Sequence, residues 1–147
     1  MSEAKLEVGL KLSKSIKVDE SLTVPHISPL FTGMDTMPPV FATAYLVAFI
    51  EWTCIQALKP YICAGQRTVG THVNMSHIAA TPIGMTVTVE VELAELTGKL
   101  MQFKVTARDD KEIISEGLHG RAIIEYDKFV ARIQQKEQRE AKHHSNY

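Results

Sequence analysis

The chain has 147 residues, a formal net charge of −1 and 45% hydrophobic residues, a size and composition that fit one globular domain. Its near-neutral charge offers no basic field that would bind nucleic acid or an anionic membrane through charge alone. Residues 1–17 are mixed in charge without an apolar run, so no secretory signal is indicated. We expect a single domain over residues 1–147, flexible at residues 1–3 and about 138–147, in the cytoplasm.

The first third of the chain predicts an edge strand, a loop and a helix. Residues 3–24 alternate weakly, as an edge strand followed by a turn would. Residues 25–40 hold four prolines and one glycine and predict a long loop, with a functional role or as a lid. Residues 44–58, AYLVAFIEWTCIQAL, predict a helix that is apolar nearly all round and buried on most faces. A membrane span is not expected, because ~20 apolar residues are normally needed and a central charge is costly.

Four alternating runs follow the helix and predict antiparallel strands separated by tight turns at 97–98 and 109–112. A short final helix is predicted after Asp127. This order predicts an α+β fold, an antiparallel sheet wrapped around one long central apolar helix, with room for a second subunit to cover what remains. The predicted inward faces of the runs are Val69, Thr71, Val73, Met75, His77 and Ala79; Met85, Val87, Val89, Val91 and Leu93; Met101, Phe103, Val105 and Ala107; and Ile114, Leu118, Ala122, Ile124 and Tyr126.

Glu51 is the one charged residue of the apolar helix. Burying an unpaired carboxylate costs on the order of several kcal/mol, so it must be paired, neutralised or close to water. A structural salt bridge and a carboxylate that acts as base or nucleophile both satisfy this requirement. His77 lies on the predicted inward strand face and points into the same layer. We therefore predict a Glu51–His77 pair that can transfer protons.

Three other residues each allow two interpretations. Thr43 is placed to cap the helix N-terminus, where its hydroxyl could also support an anion or a developing oxyanion. Gly70 at the start of a strand indicates a bulge or the close approach of a ligand. Arg121 alternates with the apolar face of the last run, so we expect it on the outer side, exposed or in contact with a phosphate-bearing ligand.

Several common site motifs are absent from the sequence. There is no glycine-rich nucleotide loop and no GxSxG motif. His72 and His77 are five residues apart and should point to opposite faces of a strand, so no metal site is expected. Cys54 and Cys63 match neither a zinc pair nor a CxxC motif and are expected to be ordinary thiols of a reduced compartment.

Three segments carry a family resemblance: VFATAYLVAFIEW at 40–52, VGTHVNMSHIAATPIGMTVTVEVEL at 69–93 and GLHGRAIIEYDKF at 117–129. Over roughly residues 25–135 the chain resembles hotdog-fold acyl-CoA thioesterases, and most closely the fluoroacetyl-CoA thioesterase group. The resemblance implies a hotdog fold, hydrolysis of a short-chain acyl-CoA, and a homodimer, with a higher oligomer left open, whose active sites lie near the subunit interface. It implies no cofactor beyond the CoA of the substrate.

The same resemblance assigns site residues. It implies a catalytic set of Thr43, Glu51 and His77, with Gly70 and Arg121 near the substrate. Where the fluoroacetyl-specific group places phenylalanines in a lid before the helix, this chain offers two methionines, which fill space adaptably and specify shape weakly. We therefore expect Met34 and Met37 to contact a broader or different short acyl group.

Two alternative functions are open at this point. One is a non-catalytic protein that binds acyl-CoA. The other is an enoyl-CoA hydratase or dehydratase on the same fold. Enzymes of that kind typically carry an Asp–His pair in a different hotdog motif, which this sequence does not show.

Overall fold

The computed structural model describes residues 5–139. Its helices and strands are β1 (Lys11–Lys17), α1 (Thr43–Leu58), β2 (Gln66–Met75), β3 (Thr86–Thr97), β4 (Leu100–Arg108), β5 (Ile113–Glu125) and α2 (Tyr126–Gln138). The terminal residues that we expected to be flexible lie outside the described range, apart from residues 138 and 139. Of these two, Gln138 is the last residue of α2.

The five strands form one antiparallel sheet in the order β1-β3-β4-β5-β2. β3, β4 and β5 make a meander, and β1 and β2 are its two edges. β1 confirms the predicted edge strand, and the loop from 18 to 42 contains three short 3₁₀ turns. The predicted α+β architecture, with the sheet around one central helix, is confirmed.

The two predicted hairpin turns are both present. Thr97 pairs with Leu100 across a two-residue turn in which Gly98 has a φ of 60°, a conformation that favours glycine. In the second turn Asp109 is buried. It accepts hydrogen bonds from the Thr81 hydroxyl and from the backbone N–H groups of Lys111 and Glu112. This carboxylate ties the turn to the segment that enters β3.

Only one face of α1 is buried in the single chain. The buried residues of α1 recur three and four positions apart and pack on the sheet, against the inward side chains of β3 and β4. They are Leu46, Phe49, Ile50, Thr53, Cys54, Ala57 and Leu58. The opposite face leaves Ala44, Ala48, Trp52 and Ile55 exposed. The prediction that the helix is buried on most faces is therefore wrong for a single chain, although its apolar character all round is real.

The predicted inward face of β5 is wrong after its first residues. Ala107 pairs with Ser115 but Arg108 pairs with Ile113, so β5 holds one extra residue at this point. Ile114 and Ser115 are both buried at this bulge, and beyond it the alternation is reversed. The predicted members Leu118, Ala122, Ile124 and Tyr126 therefore lie off the core face. His119, opposite Phe103, and Arg121, opposite Met101, occupy that face instead.

A second bulge divides β2 in the same way. Gly70 pairs with Arg121 and His72 with Gly120, which places Thr71 in the irregularity between them. Gly70 shares a face with Arg121, and Val73 shares one with His119, so Val69 and Thr71 do not share the face of Val73 and Met75 as predicted. By contrast, the predicted inward faces of β3 and β4 are confirmed from Val87 onward.

Among residues 5–139, no helix is long and apolar enough to cross a membrane. The cytoplasmic location stays a prediction.

Candidate active site

Glu51 lies in the middle of α1 with 39% of its side chain exposed. Its Oε2 lies 3.1 Å from Nη1 of Arg121, whose side chain is only 3% exposed. The prediction that Arg121 points to the outer side is therefore wrong, because the bulge in β5 reverses its direction. The lone carboxylate of the apolar helix is thus both paired with a cation and open to solvent.

The guanidinium of Arg121 is fixed by the protein on three sides. Nε donates to the Thr68 hydroxyl at 3.0 Å and Nη2 to the Thr68 carbonyl at 2.9 Å. Nη1 donates to Glu51 and also to Nε2 of His119 at 3.1 Å. Among the described residues, four of the five N–H groups of this side chain therefore have partners. Arg121 is a rigid support for the carboxylate.

Gly70 is directly beside this ion pair. A Cβ at this position would lie 2.6 Å from Oε2 of Glu51, closer than any real contact, and 3.4 Å from Cε1 of His119. The predicted bulge is also present, immediately after Gly70. The predicted bulge is thus confirmed, and the group that approaches the backbone of Gly70 is the side chain of Glu51. Approach of a ligand to Gly70 stays a prediction.

Thr43 and His77 form a second pair at the N-terminal end of α1. The Thr43 hydroxyl lies 2.7 Å from Nδ1 of His77, which follows the end of β2. The N-cap residue is Ala42, which makes no side-chain capping bond in the described chain, so the prediction of Thr43 as N-cap is wrong. The hydroxyl is directed at the imidazole instead.

His77 combines a low basicity with a free ring nitrogen. Burial lowers its pKa below the ordinary value, so the imidazole is neutral near pH 7. Its Nε2 is buried and has no hydrogen-bond partner among residues 5–139. His77 also lines a cavity of about 240 Å³, together with Thr43, Val24, Val40, Phe41, Ile78, Ala79 and Ala80.

The predicted Glu51–His77 pair is wrong within a single chain. Glu51 bonds to Arg121, and His77 bonds to Thr43. Thr43 and Glu51 are eight residues apart on one helix, about 12 Å along its axis. The residues predicted to form one catalytic set therefore form two clusters: an ion-pair cluster of Glu51, Arg121 and Gly70, and a hydroxyl–imidazole pair of Thr43 and His77.

The predicted methionine lid does not reach the Thr43–His77 pair. Met34 begins a 3₁₀ turn and Met37 follows it, and neither lines the cavity beside His77. The same loop exposes Phe31, which lines a separate cavity of about 560 Å³ together with Pro25 and His26. Contact of the two methionines with an acyl group stays a prediction.

His119 is the residue that the sequence interpretation missed. It is fully buried, and burial lowers its pKa below the ordinary value. Its Nδ1 lies 2.9 Å from the His72 carbonyl, and its Nε2 accepts from Arg121. The signal that could have indicated it is its spacing of two from Arg121, which puts both side chains on one face of a strand.

Cys54 is buried close to Glu51 and Arg121, and burial raises the pKa of its thiol to about 12. A thiolate nucleophile at this position is therefore excluded at neutral pH. In the described part of the chain, no three His, Cys, Asp or Glu side chains are grouped closely enough to hold a metal ion.

Comparison with known proteins relates this arrangement to one family. Residues 18–127 match the sequence pattern of the family described as fluoroacetyl-CoA-specific thioesterase. The chain is 37% identical to the fluoroacetyl-CoA thioesterase of Streptantibioticus cattleyicolor over 131 residues, which are 89% of this chain and 94% of the relative.

Solved structures agree in fold. A structure of the fluoroacetyl-CoA thioesterase FlK is 37% identical and superposes with a TM-score of 0.88, covering 90% of this chain and 98% of that one. Variants of FlK have been solved with acetyl-CoA, and with fluoroacetate and CoA. A Thermus thermophilus protein described as a thioesterase superfamily member is 22% identical with a TM-score of 0.80, covers 90% of this chain and 93% of that one, and shows the fold alone.

These findings confirm the predicted hotdog fold and the predicted thioesterase family. A match over most of the chain, together with 37% identity to a relative covered almost completely, is sufficient to assign the family. The chain belongs to the fluoroacetyl-CoA-specific thioesterase family.

Proposed function

We propose that this chain hydrolyses a short-chain acyl-CoA to the free acid and CoA. The observation that carries the proposal is the state of Glu51. Its carboxylate is held by a buried arginine and set against a glycine, yet it is open to solvent in the middle of an apolar helix. A structural salt bridge does not need a carboxylate that is exposed to solvent, whereas a group that reacts with substrate must be accessible.

Hydrolysis breaks the bond between the acyl carbon and sulfur and adds the elements of water. Glu51 either attacks the carbonyl, giving a mixed anhydride that water then cleaves, or takes a proton from the water that attacks. In both routes the departing thiolate of CoA receives a proton. A backbone N–H near Gly70 is our candidate donor to the oxyanion.

His77 is our candidate for proton transfer, with Thr43 in the role that orients a catalytic imidazole. If Nδ1 donates to the Thr43 hydroxyl, the buried Nε2 is left with a lone pair and can accept a proton. The lowered pKa of His77 supports this role, because it keeps the imidazole neutral at the pH where it must act.

We infer that one active site takes groups from two subunits. β2 is an edge strand of ten residues whose central positions are exposed, and such an edge is a template for pairing with another strand. When two copies pair antiparallel through the exposed positions 70–74, Gly70 of one copy lies opposite Asn74 of the other, three residues before His77. The two clusters that one chain keeps apart would then meet across the interface.

The acyl group is expected to be short. FlK variants accommodate acetyl-CoA and fluoroacetate, which supports a small acyl pocket in this family. With Met34 and Met37 in the loop before α1, we propose a tolerance for acetyl, propionyl and related groups rather than selectivity for fluoroacetyl.

The test is turnover of a panel of acyl-CoAs, from acetyl and fluoroacetyl to butyryl, with detection of the free thiol. We expect Glu51→Gln and His77→Ala each to reduce kcat by roughly 100-fold or more. Near-wild-type rates for both variants would reject the mechanism. A 3-hydroxyacyl-CoA formed without thiol release would indicate a hydratase. Tight binding without turnover, unchanged by Glu51→Gln, would indicate a binding protein.

A further inference from the structure

We propose that His119 is a positioning residue of this site: through Arg121 it fixes the carboxylate of Glu51, and it does so as the tautomer that carries its hydrogen on Nδ1. The inference rests on the proposed role of Glu51 and adds to it a residue that has no access to substrate, since its side chain is fully buried.

The tautomer follows from the two partners of the ring. Nε2 lies 3.1 Å from Nη1 of Arg121, and a guanidinium has donors but no acceptor. Nε2 must therefore present its lone pair. Nδ1 lies 2.9 Å from the His72 carbonyl oxygen, which can only accept, so Nδ1 must carry the hydrogen. No other arrangement of one ring hydrogen satisfies both contacts.

His119 completes the support of the arginine at the end that faces Glu51. The Nε and Nη2 groups of Arg121 are anchored to Thr68, on the side away from the carboxylate. Nη1 is the nitrogen that contacts both His119 and Glu51. With one hydrogen committed to the fixed imidazole, the other is directed at Oε2 of Glu51. Without the imidazole, no other acceptor in the described chain fixes Nη1 so that its second hydrogen points at Oε2 of Glu51.

The His72 carbonyl gives His119 an anchor of its own. His72 lies just after the bulge in β2, where the register with β5 shifts by one residue. The carbonyl that accepts from the ring thus lies directly after the bulge, and on the other side of the bulge Gly70 lies opposite Arg121. One backbone irregularity positions the imidazole, the arginine and the glycine against which Glu51 rests.

The kinetic test compares His119→Phe with two other variants. His119→Phe keeps a buried ring without hydrogen bonds, and His119→Gln restores an acceptor and a donor. Phe103→Leu changes the residue paired with His119 on β4 and serves as a control for packing alone. On an acyl-CoA that the wild type hydrolyses, we expect His119→Phe to lose roughly tenfold or more in kcat with KM within about twofold. His119→Gln should recover most of the loss, and Phe103→Leu should keep kcat within about twofold.

The inference is overturned if His119→Phe keeps its kcat, or if Phe103→Leu loses as much. A second measurement needs neither turnover nor a folded variant. In ¹⁵N NMR of the wild-type chain labelled at histidine, His119 should show a protonated Nδ1 and an unprotonated Nε2 near pH 7. The opposite tautomer would overturn the inference whatever the enzyme hydrolyses. Absence of hydrolysis with every acyl-CoA would instead reject the proposed function and leave this readout intact.

Discussion

A mixed dimer of two inactive variants should recover activity if each active site draws on two subunits. Glu51→Gln removes the carboxylate and His77→Ala removes the imidazole. In a dimer with one subunit of each kind, one site combines the intact Glu51 of one copy with the intact His77 of the other, and the second site lacks both. One of two sites is therefore expected to work.

The size of the recovery follows from the geometry. Glu51 and the Thr43 that holds His77 are about 12 Å apart along α1, too far for a carboxylate and an imidazole of one chain to share a proton. Sites confined to one subunit would recover nothing on mixing. With random assortment of equal amounts, half of the dimers are mixed and each has one intact site, so roughly a quarter of the wild-type activity is expected.

The assay is thiol release by the two variants unfolded and refolded together, compared with each refolded alone. Differently tagged subunits allow the mixed dimer itself to be purified and counted. Arg121→Leu mixed with Glu51→Gln is the matched control, because both residues belong to the same cluster of one chain and no intact site can form. Verified mixed dimers of the first pair that are no more active than the control would refute the two-subunit site.

Three further predictions follow from contacts in the single chain. Gly70→Ala places a Cβ against Oε2 of Glu51, so kcat should fall roughly tenfold or more, with only a small change in Tm measured on the same sample. Asp109→Ala removes an acceptor from one hydroxyl and two backbone N–H groups and should cost about 1–3 kcal/mol in urea unfolding at pH 7. Burial alone would raise the pKa of Asp109, but these hydrogen bonds outweigh it and hold the pKa below the ordinary value, so the difference between variant and wild type should shrink as pH falls below about 4. Burial lowers the pKa of His77 and His119, so on acidification the unfolded chain takes up protons before the folded chain does. The free energy of unfolding should therefore fall as pH drops below about 6.5. A free energy of unfolding that stays constant from pH 7 to 5 would contradict this.

The sequence was sufficient for the elements with regular alternation. The faces of β3 and β4 were predicted correctly, because the period of two is unbroken from Val87 to Leu93, before the register shift between Leu93 and Glu95, and from Met101 to Ala107. The central helix and both hairpin turns were also predicted correctly. Glu51 and His77 were also correctly recognised as polar groups that need partners. The alternation of side chains along a strand could show that both point into the same layer. It carries no information on how far apart they lie along the helix axis.

The failures on β2 and β5 have one cause. Each strand holds a bulge, and one extra residue reverses the direction of every side chain beyond it. Arg121 was therefore predicted on the outer face, and His119 was not proposed as a site residue. No local signal in ordinary side chains marks such an insertion, although Gly70 did indicate irregular backbone at the right place.

The choice of Arg121 over His77 as the partner of Glu51 can be understood from charge. A carboxylate in an apolar layer needs a cation, and burial keeps His77 neutral at pH 7, so it has a hydrogen bond to offer but no charge. A guanidinium stays ionised at any relevant pH and can be held by neutral acceptors, here Thr68 and His119. Because Arg121 meets the electrostatic requirement, His77 is left free to bond to Thr43 and to keep Nε2 without a partner in the described chain. That division suits a reaction in which one group must carry negative charge and another must move a proton.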